Sequence, residues 1–236
     1  SLKMRCRCFL FWRSYIMTRK TNARRLTTSA MMLAMATVLA LVCAYIPFLN
    51  LPFGGGFTVA SMLPIVIVSY MYGVKWGFFT SGVYAVIQVL MSLIMGKTVL
   101  ALFTPSSDDY MGLWAAIAII IIDYILAYTA LGIGGIFRNV IKSKTLALVL
   151  GVVLALGIRY VCHIVSGYIF YGAWAERFFS QEGFYAIGEK ILGVFSGKGL
   201  ALIYSIFYNG LFMLPEIVIT SIAAAFVSPL PIIKKR

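Results

Sequence analysis

Six stretches of the chain are apolar for long enough, or nearly so, to cross a bilayer: about 27–49, 57–73, 76–95, 112–137, 145–171 and 201–227. A spanning helix needs roughly 20 mostly apolar residues, because the bilayer core is about 30 Å thick and a helix rises about 1.5 Å per residue. The second run is short for this and reads as a helix that tilts little or starts inside the protein. Turn chemistry separates the runs: Pro47, then Pro52-Phe53-Gly54-Gly55-Gly56, then Gly73, then Gly96 through Ser106-Ser107-Asp108-Asp109. Runs such as 116–122 lack the alternation of a barrel strand, and helices satisfy their own backbone groups in lipid. The pattern predicts an all-α integral membrane protein of six transmembrane helices with almost no soluble domain.

Composition agrees with that pattern. Of 236 residues, 62% are hydrophobic and 11% charged, against roughly 45–50% and 25% in soluble domains. The net charge of +13 changes the picture only once its position is known. With the N-terminus inside, the cytoplasmic side receives the arm 1–25, Lys75, Arg138, Lys142, Lys144 and the tail Lys234, Lys235 and Arg236. That is fifteen basic residues and no acidic one. The other side receives Lys97, Arg177, Lys190 and Lys198 against Asp108, Asp109, Glu176, Glu182 and Glu189. Basic residues favour cytoplasmic loops, so the asymmetry predicts an N-in, C-in topology. The charge therefore marks a membrane face, with no nucleic-acid partner implied. Three segments follow: a basic cytoplasmic arm 1–25, a membrane domain 26–227 and a basic cytoplasmic tail 228–236.

The chain opens on Ser1, and Met17 is an alternative start that would leave 1–16 outside the native protein. The first run has the charge order of a signal peptide but is long for one and lacks a small-residue cleavage site. Cys6 and Cys8 read as a reduced cytoplasmic pair, since two ligands make a poor metal site. Cys43 and Cys162 read as buried apolar fillers, and no disulfide framework is implied.

Asp123, Arg159, His163 and Glu216 fall inside predicted helices. Ionisable groups there cost about 2.5–3.5 kcal/mol each on insertion scales, which makes function the first hypothesis and charge-paired helix packing its rival. Function leads for Asp123 and His163; the two readings balance for Arg159 and Glu216. Arg159 and His163 are four residues apart and share a helix face, continued by Gly167 and Tyr171. Asn209 and Glu216 share a face of the last helix, with Tyr204 a turn away. One carboxylate, one imidazole, one amide and several aromatic rings suit a small, flat, cationic or heteroaromatic ligand. For Trp76 and Trp174, anchoring at the membrane interface is the stronger reading.

Enzyme readings lack their parts. There is no Walker A motif, and Phe79-Thr80-Ser81-Gly82 lacks the first glycine of an intramembrane serine-protease turn. One His beside one Asp is too little for zinc, and no cofactor is implied.

The motifs in order carry a resemblance. They are Arg25-Leu26-Thr27 leading into Ala30-x-x-x-Ala34; Ser61-Met62-Leu63-Pro64-Ile65; Tyr72-Gly73-Val74-Lys75; and Asp123-Tyr124 before Ala130-Leu131-Gly132. Arg159-x-x-x-His163-x-x-Ser166-Gly167, Tyr204-Ser205-x-x-x-Asn209-Gly210 and Met213-Leu214-Pro215-Glu216 complete them. The chain resembles the thiamine-specific substrate-binding (S) components of energy-coupling-factor (ECF) vitamin importers. The resemblance implies a six-helix S-component fold, in a bacterial cell membrane, with a thiamine pocket near the outer side and no catalysis in this chain. It also implies a coupling membrane subunit and two cytoplasmic ATPases as partners. Position by position, Asp123 matches the family's pocket carboxylate. His163, Tyr204 and Asn209 match hydrogen-bonding residues, and Tyr171 falls where some relatives carry a stacking Trp. A second pocket Trp of some relatives falls near Gly55 here, with Phe53 or Phe57 as the replacement. An aromatic expected at Leu113 is replaced by Trp114 or Tyr110. Ala30 and Ala34 match the small-residue patch that docks on the coupling subunit, as close helix approach in lipid requires. The glycines of 48–57 suit a lid or a tight turn. Two rivals remain: an S component for another vitamin or heteroaromatic compound, and a self-sufficient ion-coupled secondary transporter.

Overall fold

A computed structural model describes residues 2–49, 56, 58–181 and 185–233, with side chains from residue 22 onward except at 185 and 186. The described residues are almost entirely helical. We number the helices α1 (Leu2–Ala44), α2 (Leu63–Tyr72), α3 (Val74–Ile94), α4 (Thr98–Phe103), α5 (Leu113–Asn139), α6 (Lys144–Phe170), α7 (Ala175–Phe179), α8 (Tyr185–Val194) and α9 (Gly197–Val227). Five are long and apolar enough to cross a membrane: α1 from Asn22, α3, α5, α6 and α9.

The second apolar run gives only the ten-residue α2. Its composition explains why it reads as all-round hydrophobic. Nine of its residues, Leu63 to Met71, are buried on every side by other helices, so α2 forms the centre of the bundle. Around it pack Leu131, Ala147, Leu148, Val152, Leu156 and Met213. Gly73, at φ 94°, turns the chain from α2 straight into α3, a conformation that disfavours any residue with a Cβ. Ser69 Oγ then ties α2 to α5: it donates to the Gly132 carbonyl and accepts from Gly135 N at 2.9 Å.

Helix α5 changes its winding along its length. It is α-helical over Leu113–Ile119, π-helical over Ile120–Leu126, and tightens to a 3-10 helix over Ala130–Asn139. The glycines of that last section let it lie backbone to backbone on its neighbours: a methyl group on Gly134 or Gly135 would overlap Val66 or Ser69. Helices α6 and α9 pack along each other, and the segment after α9 folds onto the start of α6. Ser228 Oγ bonds Thr145 Oγ1 at 2.6 Å, Lys144 Nζ donates to the Leu230 carbonyl at 3.3 Å, and Ile233 is buried.

Trp76 anchors α3 to α1, donating to Ser29 Oγ at 2.8 Å with the Arg25 guanidinium 4.0 Å over its ring. Ala30 and Ala34 lie on the opposite, exposed side of α1. Cys43 and Cys162 are free thiols. Helices α4, α7 and α8 have no counterpart among the six apolar runs and lie in segments read from the sequence as loops.

Candidate functional site

The π-helical section of α5 carries Asp123 near its centre. Such a turn widens the helix and shifts the side-chain register, and π turns recur at functional sites. Asp123 meets α6 with both oxygens. Oδ1 lies 2.8 Å from His163 Nδ1, and Oδ2 accepts from Ser166 Oγ at 2.6 Å. The pair is largely buried, with 11% of His163 and 16% of Asp123 exposed. A carboxylate facing Nδ1 favours the proton there, which leaves Nε2 as an acceptor. Nε2 is buried and has no hydrogen-bond partner among the described residues. A buried acceptor without a partner is costly, and a ligand donor would satisfy it.

Next along the wall stands α9. Asn209 commits its amide nitrogen to the Ser205 carbonyl at 2.8 Å and the His163 carbonyl at 3.2 Å, which leaves its carboxamide oxygen with bonding capacity to spare. This close approach of α6 and α9 depends on Gly167: a methyl group there would overlap Ser205 Oγ and sit 3.1 Å from Asn209 Nδ2. Tyr204 and Tyr208 stack with centroids 5.6 Å apart, and Phe212 continues the line one turn on, edge-on to His163 at 5.7 Å. Phe178 from α7 braces both tyrosines edge-to-face.

These groups surround a cavity of about 200 Å³. Asp123, His163, Tyr171, Tyr204 and Asn209, five residues singled out in the sequence, all line it. Trp114 does not: it is 81% exposed on the flank of α5. Phe57 lies outside the described residues. Other lining residues were not singled out in the sequence. Trp174, expected as an interface anchor, is part of the wall, as are Asp109, Tyr128, Tyr208 and Phe212. The four-residue spacing of Tyr204, Tyr208 and Phe212 is a sequence signal that points to the last two. Nothing comparable marks Asp109, brought to the cavity by a turn between α4 and α5, or Trp174, brought there by the 3-10 helix Gly172–Trp174 between α6 and α7. Burial, and then the Asp108 charge, push the Asp109 carboxyl upward. The Tyr171 phenol, just past the end of α6, is pushed well above its usual range, by burial first and then by the Asp123 and Asp109 charges.

Arg159 and Glu216 separate into different roles. Arg159 lines the cavity, with its guanidinium 4.3 Å over the Tyr128 ring and Nη2 donating to Tyr128 Oη at 3.1 Å. Glu216 is 1% exposed and acts on the backbone. Its Oε2 accepts from Thr58 N at 2.6 Å and Thr58 Oγ1 at 3.1 Å, and its Oε1 from Thr220 Oγ1 at 3.1 Å. It thereby pins the segment that follows the glycines 54–56, and Gly56 itself lines the cavity. Among the described residues, no cluster of His, Cys, Asp or Glu is arranged to hold a metal.

A family model described as thiamine transporter protein (Thia_YuaJ) matches residues 26–182, about two thirds of the chain. The chain belongs to this family. Its members are transporters, and the five long apolar helices make this one a multi-pass membrane protein. The thiamine transporter ThiT of Bacillus subtilis (strain 168) is 28% identical over 207 residues, which cover 84% of this chain and 86% of that protein. The solved structure of ThiT from Listeria monocytogenes is similar in fold, with a TM-score of 0.53 at 20% identity over 86% of this chain and 95% of that one. The cavity whose chemistry is described above offers an acceptor, carboxylates and stacked rings.

Proposed function

We propose that this chain is the S component of an ECF-type importer, which captures thiamine from outside and hands it inward when docked on separate energising subunits. The observation that carries the reading is the unpartnered, buried His163 Nε2 held by Asp123 beside the Tyr204–Tyr208 stack. Thiamine has a flat aminopyrimidine with an exocyclic amine, and a cationic thiazolium ring. The amine donates to Nε2 or to a free lone pair of Asp123. The Tyr204, Tyr208, Tyr171 and Trp174 rings receive the aromatic faces and the positive charge, which a desolvated ring attracts by about 2 kcal/mol. Asn209 supplies an acceptor for the second polar edge.

In this reading α2 counts as the sixth, short crossing, the arm 1–25 and the tail 228–236 lie in the cytoplasm, and residues 26–227 are the binding domain in the bacterial plasma membrane. The cavity lies at the end of the bundle away from Lys75, Arg138 and Lys144, hence on the outer side. Ala30 and Ala34 form the docking face for the coupling subunit, and two cytoplasmic ATPases supply the energy.

The test is titration of the purified chain with thiamine, read by tryptophan fluorescence. Trp174 in the cavity wall gives a saturable quench at or below micromolar thiamine. No quench, with no heat of binding, refutes thiamine as the ligand. Uptake into vesicles holding this chain alone, driven by an ion gradient, refutes the S-component role and favours a secondary transporter.

A further inference from the structure

The charged groups of the cavity stand in an order along its depth. His163 and Asp123 occupy the middle. Arg159 is one helical turn earlier on α6, about 6 Å further from the outer end. Its guanidinium is engaged by Tyr128 and by Met62 Sδ at 2.7 Å. Asp109 enters from the opposite direction, on the 104–112 connection between α4 and α5, with Asp108 exposed beside it. Among the described residues Asp109 forms no ion pair, and Arg159 is the cavity's one cation. Lys97 lines an adjoining chamber that shares Gly56, Thr98, Tyr124 and Tyr128 with this one, and its ammonium donates to the Ala44 carbonyl at 3.3 Å.

This order bears on a ligand with two unlike ends. Resting on the thiamine reading, the exocyclic amine is the donor that suits His163 Nε2, so the pyrimidine lies inward. The thiazolium and its hydroxyethyl arm then extend toward Asp109. We propose that Asp109 is a specificity-determining residue, a charge filter at the outer end of the cavity that favours cationic thiamine and penalises thiamine phosphate esters. A phosphoryl group on the arm carries about −1.5 to −2 charge near neutral pH. It would face a carboxylate with a second carboxylate behind it, and like charges at a partly desolvated site repel.

The experiment compares thiamine with thiamine monophosphate by calorimetry on the full chain in detergent, for the unaltered protein, Asp109→Asn and Asp109→Lys. The unaltered chain is expected to bind thiamine at least about tenfold more tightly than the monophosphate. Asp109→Asn moves the two ligands in opposite directions, weakening thiamine and strengthening the monophosphate, so that their ratio narrows about tenfold; Asp109→Lys narrows it further. A merely structural role would weaken both ligands together, and that outcome overturns the proposal. So does an unaltered chain that binds the two equally. A ratio that responds to Arg159→Gln and not to Asp109→Asn also overturns it, because the arm then points inward. If the unaltered chain binds neither ligand, the thiamine reading itself fails and the filter falls with it, a result distinct from equal binding.

Discussion

Asp123 engages His163 and Ser166 with one oxygen each, so a substitution there acts on the imidazole and, in the proposed reading, on the ligand at once. Asp123→Asn keeps the size, removes the charge and replaces one acceptor with a donor aimed at a partner N–H or O–H. Hydrogen bonds to charged groups contribute about 1.5–3 kcal/mol, which corresponds to a thiamine affinity lower by roughly tenfold to a hundredfold. Titration of the variant checks this, and unchanged affinity would remove Asp123 from the site. Gly167→Ala tests shape in place of charge. The new methyl group overlaps Ser205 and crowds Asn209, so α6 and α9 must part by a fraction of an ångström. A loss of thiamine affinity exceeding the loss in melting temperature is expected, since the strain falls on the cavity wall. Both residues were legible in the sequence for a physical reason. A carboxylate is anomalous in a lipid-spanning helix and stands out against it, and Gly167 follows His163 by one turn on the same face. Asp109 was not legible, because an acidic residue in a loop is ordinary until the loop's path is known.

At the level of elements, the long apolar runs read off the sequence became α1, α3, α5, α6 and α9, because length and hydropathy alone decide them. Run two was harder. Its apolar character comes from burial inside the bundle, so its ten-residue helix is shorter than the run that announced it. The π turn under Asp123 left no sequence signal at all. Glu216 is the element-scale counterpart. It joins α9 to the segment ahead of α2 through Thr58, and Cys43 Sγ accepts from Val59 N at 3.3 Å on the α1 side. Glu216→Gln leaves one neutral acceptor where the carboxylate meets three donors, two on Thr58 and one on Thr220, and is expected to destabilise the fold by about 1.5–3 kcal/mol. Faster hydrogen exchange at the Thr58 amide, with α6 amides unaffected, would locate that loss. An unchanged Thr58 amide would show that the contact does not hold the segment.

For the whole molecule, binding and coupling must be separable, because the cavity and the proposed docking face belong to different parts of the fold. The cavity is built by α5, α6 and α9 with Gly56, Thr98 of α4 and the connections at that end of the bundle, whereas Ala30 and Ala34 sit on the exposed side of α1, which contributes no lining residue among those described. Small residues four apart let a partner helix approach closely, and in lipid that contact is made by packing and not by a hydrophobic drive. A large side chain there should hold the partner off while leaving the cavity intact. Ala30→Trp with Ala34→Trp is therefore expected to retain thiamine affinity within about twofold while losing most energised uptake in cells that supply the coupling subunit and ATPases. The α1 side facing the bundle carries Ser29 and Ala36, both buried, and the same change at Ala36 would instead disrupt the core around Tyr84 and cost stability. Uptake and binding that fall together in the Ala30, Ala34 variant would mean that this face packs within the chain. Uptake that survives would mean that the partner docks elsewhere.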